Sequence, residues 1–150
     1  MESKKMEHIK EAEKLFRLGN TCSQAIFATY GPELGIAKKT ALKLSCSFGG
    51  GMGCMGMTCG AVTGAYMVIS LKYGRIDPAD KAAREQSDKL VRLFTEKFKE
   101  RHNDKLNCND LLGYDRSNPE DLKIMYENGI FKEVCPKCVK DAAEILKEIM

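Results

Sequence analysis

The feature that most constrains the fold is an uncharged, glycine-rich segment in the first half of the chain. No charged residue occurs from Leu44 to Leu71, and seven glycines fall within this segment. Ordering glycine costs conformational entropy, so this density indicates that the backbone passes close to another group. Only the second part of the segment is consistently apolar, and it is too short to cross a bilayer. The segment therefore predicts a tight glycine loop that leads into a buried central helix.

Most other segments have the periodicity of amphipathic helices. Between positions 79 and 101, apolar residues recur at three- and four-residue steps, with charged residues between them. Similar reasoning predicts helices over 4–18, 21–30, 38–44 and 61–74, and from about Pro136 to the C-terminus. No segment alternates with period two, and 150 residues suit one domain with a real core. The predicted architecture is an all-α, single-domain helical bundle over residues 1–150.

Charge patterning excludes several classes of partner. The formal net charge is +3, and lysines and glutamates are interleaved along the predicted helices without a basic stripe. Nucleic acid is therefore not expected as a partner. The N-terminal residues lack the apolar core of a signal peptide, so we expect a cytoplasmic protein that does not span a membrane. His8 and His102 lie in heavily charged stretches and are expected on exposed helix faces.

The glycines follow two patterns with different structural meanings. Residues 51–56 match the dinucleotide pattern GxGxxG, and Asp77 lies at about the spacing of a ribose ligand, but the required strand and parallel sheet are not predicted. Gly56, Gly60 and Gly64 recur every four residues and would form a smooth helix face for close packing. The preceding residues 49–53 are then expected to form a tight turn.

The cysteines are the strongest signal of chemistry. Their number is odd and high for an intracellular chain, where such residues are more often metal-binding or redox-active than paired in structural disulfides. They are Cys22, Cys46, Cys54, Cys59, Cys108, Cys135 and Cys138.

Four of these cysteines stand where a helix is expected to begin. Cys22, Cys59 and Cys108 each follow a Thr or Asn that caps helices well, and Cys135 precedes a proline suited to the first helical position. The helix dipole and the free N–H groups at such positions favour the thiolate. Thiolate is the form needed both for nucleophilic redox chemistry and for ligating zinc or an iron–sulfur cluster.

Local cysteine pairs leave further alternatives open. Cys135 and Cys138 form a CxxC pair, but the βαβ context of a thioredoxin-like site is missing. Cys54 and Cys59 form a looser pair that could meet across the glycine loop. Four methionines in and after this loop fit either soft packing or a copper(I) site with cysteine; they are Met52, Met55, Met57 and Met67.

Four segments resemble the redox-active protein family named after its C…GCAxxG…C…C cysteine pattern. They are "NTCSQAIFATYG", "FGGGMGCMGMTCGAVTGAYMVISLKYGR", "CNDLLGYD" and "CPKCVKDAAEIL". The resemblance runs from about residue 9 to the end. It places the four characteristic cysteines at Cys22, Cys59, Cys108 and Cys135, and it makes Cys46, Cys54 and Cys138 additions that could supply a resolving thiol or another ligand.

The resemblance implies a small helical protein with redox activity and an unnamed substrate. Members are often encoded beside transporters or oxidoreductases. A related domain in split-Soret cytochromes c holds an iron–sulfur cluster through its cysteines, which makes a cluster a plausible cofactor here. The chain itself lacks the haem-binding part of those cytochromes.

Three functions follow from these observations. In the first, Cys22, Cys59, Cys108 and Cys135 hold a metal centre for electron transfer, an iron–sulfur cluster or otherwise zinc, with Cys54 and Cys138 as further ligands. In the second, an oxidoreductase without metal uses Cys59 as nucleophile, and Cys54, Cys22 or Cys135 resolves the mixed disulfide. In the third, the chain is a soft-metal binding module serving a transporter.

Several expectations are common to the redox functions. Cys22, Cys59, Cys108 and Cys135 are the candidate catalytic residues, and their sulfurs are expected to lie together. Gly60 and Gly64 are the candidate cofactor-binding positions. The expected partner is an electron donor or acceptor protein of unknown identity, and the sequence leaves a homodimer open.

Overall fold

Eight α-helices and two short 3-10 turns make up the chain in the computed structural model, which describes residues 2–150. The 3-10 turns are Pro32–Leu34 and Cys46–Phe48. The described residues contain no strand, so the predicted all-α single domain is confirmed. The helices are α1 (Glu2–Arg17), α2 (Cys22–Tyr30), α3 (Lys38–Ser45), α4 (Gly60–Tyr73), α5 (Lys81–Arg101), α6 (Cys108–Leu112), α7 (Pro119–Glu127) and α8 (Ile130–Ile149).

Helices α2 and α4 form the centre of the domain. Both lack an amphipathic face, and most of their residues are buried. They approach each other closely at Gly64, where an added Cβ would lie 3.0 Å from the carbonyl oxygen of Ser23 and 3.1 Å from the Cβ of Ile26. The predicted smooth glycine face is therefore present at Gly60 and Gly64.

The prediction for Gly56 is wrong, because this residue precedes α4. Its φ of +74° belongs to a turn, and a Cβ there would lie within 2.2 Å of the Asn109 amide carbon. Gly50, Gly51 and Gly53 also have positive φ, as the predicted tight turn requires.

Amphipathic helices α1, α5 and α8 surround this centre. Helix α5 contributes Phe94 and Phe98, and α8 contributes a stripe that includes Val139, Ala142 and Leu146, all fully buried. No helix among residues 2–150 is long and apolar enough to cross a membrane.

The start of α8 differs from the prediction. It begins at Ile130 instead of Pro136, so the proline lies inside the helix. Gly129, with φ of +65°, separates α8 from α7. The first turns of α8 pack Phe131 and Val134 against a small second core around Met125. This apolar contact stabilises helical backbone before the proline and overrides the preference of proline for the first turn.

The two histidines also differ from expectation. The side chain of His8 is 16% exposed and lies 3.0 Å from Glu33, and that of His102 is 7% exposed. Both pack against aromatic rings, His8 tilted against Tyr30 and His102 stacked on Phe98. Aromatic packing against the neighbouring ring removes each imidazole from the solvent-exposed face of its helix.

Candidate thiol site

Three cysteines reach the site from the beginnings of helices. Cys22 is the first residue of α2, whose N-cap is Thr21 in a reciprocal capping box with Gln24. Cys59 is itself the N-cap residue of α4, and Cys108 is the first residue of α6 after Asn107. All three lie at helix starts, as the sequence predicts, but the N-cap of α4 is Cys59 and not Thr58, and Asn107 makes no side-chain capping hydrogen bond.

A short antiparallel bridge brings Cys59 and Cys108 side by side. Thr58 pairs with Asn107. Around this pair, the Cys59 N–H donates to the Leu106 carbonyl at 2.9 Å, and the Cys108 N–H donates to the Met57 carbonyl at 2.6 Å. The end of the glycine loop is thereby fixed against the start of α6.

Cys135 and Cys138 both come from the body of α8. The predicted N-cap position of Cys135 is wrong, because α8 starts five residues earlier at Ile130. At a spacing of three residues the two side chains lie on one helix face. Cys138 is buried, whereas Cys135 is partly exposed.

Five of the seven cysteines line one small cavity. The cavity has a volume of about 30 Å³, roughly enough for two water molecules. Its thiols are Cys22, Cys59, Cys108, Cys135 and Cys138. Cys46 and Cys54 are exposed outside it, and all seven thiols are free.

Four of these thiols form a row. The Cys22 thiol lies within hydrogen-bonding reach of Cys135 on one side and of Cys59 on the other. Cys59 is in turn within reach of Cys138. The order is therefore Cys135, Cys22, Cys59, Cys138, running from the partly exposed end of the site to its buried end.

Protonation is expected to alternate along the row. Hydrogen bonds from Cys138 and Cys22, helped by the N–H groups of Ala61 and Val62, hold the pKa of Cys59 well below its ordinary value of 9.0 in spite of burial. The Cys59 side chain makes no regular capping hydrogen bond.

The neighbours of Cys59 respond in the expected directions. The pKa of Cys22 is raised by its hydrogen bonds to Cys135 and Cys59 and by burial, and that of Cys138 is raised by its bond to Cys59. The bond from Cys22 lowers the pKa of Cys135. Along the row, lowered pKa values at Cys135 and Cys59 therefore alternate with raised values at Cys22 and Cys138.

Cys108 lies beside the row and shares its surroundings with Arg116. Burial and the nearby Cys59 charge raise the pKa of Cys108 to about 12, and the guanidinium of Arg116 opposes this shift. Arg116 also donates from Nη2 to the Cys54 sulfur at 3.5 Å. No periodicity or motif marks Arg116 in the sequence, so its place at the site was not predicted.

A charged cluster lies beyond the buried end of the row. Asp141, which is 7% exposed, contacts Lys137 at 2.5 Å and Arg101 at 3.3 Å. Nε2 of His102 lies 3.0 Å from the same carboxylate, without regular hydrogen-bond geometry. Burial, together with the charge of Lys137, lowers the pKa of His102, so this imidazole is neutral near pH 7.

The cysteine thiols are ligands of the type that soft metals prefer, but they are not arranged to coordinate a metal ion. Thiolates are ligands for zinc and for iron–sulfur clusters. Among residues 2–150, however, no group of three or more His, Cys, Asp or Glu side chains is placed to hold a metal ion. Gly60 lines the thiol cavity, whereas Gly64 packs on Ser23 and Ile26 and is not part of the cavity lining.

The fold and the site define a small all-α protein with a buried cluster of free thiols. The chain belongs to the family described as "Putative redox-active protein (C_GCAxxG_C_C)", whose model matches residues 20–149. No curated protein and no solved structure matches the chain.

Proposed function

We propose that the protein is a thiol–disulfide oxidoreductase whose reducing equivalents are held by the row of four cysteines. The observation that supports this most is that the four thiols line one small cavity, each close enough to the next to shift its pKa. Thiol–disulfide exchange needs a thiolate next to the sulfur that it attacks. Membership of a redox-active family agrees with this chemistry.

The exchange proceeds in two balanced steps. The Cys135 thiolate attacks an external disulfide, forming a mixed disulfide and releasing one thiolate. Cys22 loses its proton to a neighbouring thiolate and attacks Cys135, releasing the second thiolate and forming a Cys22–Cys135 disulfide. The external disulfide gains two electrons and the protein loses two.

Cys59 has an inner role in this mechanism. The residue is 5% exposed, so its sulfur is poorly accessible to an external disulfide. Its thiolate can attack the Cys22 sulfur and release Cys135 as thiolate. Attack by Cys138 on Cys59 then regenerates Cys22 and moves the disulfide to the buried end. The nucleophile facing the substrate is therefore Cys135.

The test is disulfide mapping in protein treated with a chelator and reduced without oxygen. Titration with a glutathione redox buffer should remove thiols in pairs, and mass mapping should find disulfides only among Cys22, Cys59, Cys135 and Cys138. Dithiothreitol should restore every thiol. Disulfides confined to Cys46 and Cys54 would overturn the proposal.

Two variants make the test specific. Cys22→Ser interrupts the row, and oxidation should then no longer link Cys135 to any partner in the site. Cys46→Ser removes an exposed thiol outside the row and should leave the mapped pairs and the midpoint potential unchanged.

A metal centre is the second candidate, favoured by the five thiols that line one cavity. Cys22, Cys59, Cys108 and Cys135 would hold it, and an iron–sulfur cluster would supply one-electron transfer. An absorption spectrum and metal and acid-labile sulfide analysis of anaerobically purified protein decide between the candidates. Stoichiometric iron and sulfide support the cluster, and stoichiometric zinc alone supports a zinc centre.

A further inference from the structure

A large groove lies directly outside the thiol cavity. Its volume is about 830 Å³, within the range of small-molecule sites. Cys22 and Cys135, the outer half of the thiol row, line both the groove and the cavity. A molecule in the groove therefore lies next to Cys22 and Cys135, and also next to the exposed thiols Cys46 and Cys54, which belong to the groove lining.

The groove wall is aromatic, thiol-rich and almost free of charge. Phe16, Tyr126 and Phe131 supply its apolar surface, and the backbone of the glycine loop forms part of its wall. Arg116 is the one charged side chain in the lining. The groove thus offers a ligand apolar contact and a single fixed positive charge.

Arg116 is held in place without a carboxylate partner. Its guanidinium lies over the Phe131 ring, 4.6 Å from the ring centre. It makes no ion pair within residues 2–150, and its Nε is buried without a hydrogen-bond partner. Its Nη2 donates to the Cys54 sulfur at 3.5 Å. The remaining donors of this oriented guanidinium are suited to recognition of a carboxylate.

The glycine loop sets the distance between this charge and the thiols. Gly50 lines both the groove and the cavity. A Cβ at this position would lie 2.8 Å from the Cys54 sulfur and 3.3 Å from Cζ of Arg116. A side chain there would displace the guanidinium, so glycine keeps Arg116 at the boundary between groove and cavity.

We propose that this groove binds a small disulfide bearing a carboxylate, with the carboxylate on Arg116 and the disulfide at Cys135. The inference rests on the thiol–disulfide function proposed above and names its substrate class. The Cys135 thiolate attacks the nearer sulfur, one carboxylate-bearing thiolate leaves, and Cys22 displaces the other. The substrate is reduced by two electrons to two thiols, and the protein is left with the Cys22–Cys135 disulfide.

Three disulfides of similar length and different charge test the charge requirement. They are 3,3′-dithiodipropionate, which is anionic, bis(2-hydroxyethyl) disulfide, which is neutral, and cystamine, which is cationic. At low ionic strength, the ratio of the dithiodipropionate rate to the cystamine rate, divided by the same ratio for dithiothreitol to correct for the different leaving thiolates, should be at least about ten. One charge pair at a partly desolvated site is worth about 1.4 kcal/mol or more.

Variants at Arg116 separate recognition from thiol activation. The Arg116 charge also lowers the pKa of Cys135 and Cys108, so Arg116→Gln slows reaction with all three disulfides. The informative quantity is this corrected ratio of anionic to cationic rates, which should fall towards one in Arg116→Gln and stay above one in Arg116→Lys. Arg75→Gln, at an exposed arginine outside the groove, should leave the ratio unchanged.

A ligand that cannot react keeps the two proposals distinguishable. Suberate has the chain length of dithiodipropionate without the disulfide, and it should protect Cys135 from alkylation in wild-type protein but not in Arg116→Gln. Equal rates with all three disulfides, each taken relative to its rate with dithiothreitol, overturn the carboxylate proposal and leave the redox function standing. Protection by suberate without reduction of any disulfide overturns the redox function and supports an anion site. No protection and no preference overturn this inference.

Discussion

The low pKa of one buried thiol, Cys59, determines how protons are distributed among the thiols of the site. Desolvation alone would raise its pKa, but the hydrogen bonds from Cys138 and Cys22 outweigh this cost. The same bonds stabilise the protons of Cys22 and Cys138. The row therefore favours one distribution of protons, in which Cys135 at the groove stays nucleophilic.

Protein stability should consequently pass through a maximum near pH 9 under reducing conditions. Between the native pKa of Cys59 and 9.0, the unfolded chain holds a proton that the native protein lacks, so stability rises with pH. Above pH 9, unfolded cysteines lose protons that native Cys22 and Cys138 keep, so stability falls. Anaerobic guanidinium denaturation from pH 7 to 10 measures this profile.

The rise of protein stability with pH depends mainly on Cys59, so a Cys59 variant tests this profile. One proton corresponds to a slope of at most about 1.4 kcal/mol per pH unit. Cys59→Ser should remove most of the rise between pH 7 and 9 and leave the smaller part due to the lowered pKa of Cys135, whereas Cys46→Ser should reproduce the wild-type curve. A wild-type profile without a rise over this range would contradict the thiolate at Cys59.

At the scale of helices, the approach of α2 to α4 depends on the missing side chain of Gly64. Gly64→Ala gains helix propensity of about 1 kcal/mol. Its Cβ would meet the Ser23 carbonyl oxygen at 3.0 Å and Ile26 Cβ at 3.1 Å, and overpacking of this kind costs about 1–3 kcal/mol.

A net loss of about 1 kcal/mol is expected in urea denaturation, with Ser70→Ala on the exposed face of α4 as control. A more stable Gly64→Ala protein would show that the contact is not tight.

The contact between α5 and α8 depends on Asp141. Its carboxylate is 7% exposed and faces Arg101, His102 and Lys137. Asp141→Asn removes the counter-charge of Lys137 and one of the three carboxylates around Arg101, which keeps Glu144 and Glu148. It should cost about 1–2 kcal/mol, less than for a fully buried pair, also because Lys137 is largely exposed.

The matched control for this variant is Asp88→Asn. Asp88 pairs with Arg84 on the exposed surface of α5, and its loss should cost no more than about 0.5 kcal/mol. Equal losses in the two variants, measured by denaturant unfolding, would show that Asp141 contributes only a surface ion pair.

Helix periodicity identified most of the elements because it depends on residues that are close in sequence. It predicted α5 and the buried face of α8 well, since apolar residues there recur at helical spacing. It misplaced the start of α8, because Pro136 is a local signal while the contacts of Phe131 and Val134 with the second core are not. For the same reason, no periodic pattern in the sequence predicted α7.

At the scale of the whole molecule, the site depends on segments far apart in the chain. The cap pattern correctly placed Cys22, Cys59 and Cys108 at helix starts, and the five thiols do line one cavity. The row was not predictable, because the contact of Cys138 with Cys59 depends on how α8 packs against α4. Arg116 reaches the site from a loop without periodicity, so its role appears only in the folded protein.

Oxidation of the row should therefore stabilise the entire domain. A Cys22–Cys135 disulfide would link α2 to α8 across more than 100 residues, and closing such a loop removes about 4–5 kcal/mol of unfolded-state entropy. The two thiols line the same small cavity and are close enough to shift each other's pKa, so a small movement should bring the sulfurs to bonding distance with little native strain. Guanidinium midpoints of the oxidised and reduced protein at pH 7 should differ accordingly, and dithiothreitol should abolish the difference.

Cys46→Ser should retain the full gain, and Cys22→Ser should lose the part due to this link. An oxidised protein less stable than the reduced one would mean that the disulfide forms only by distorting the helix packing.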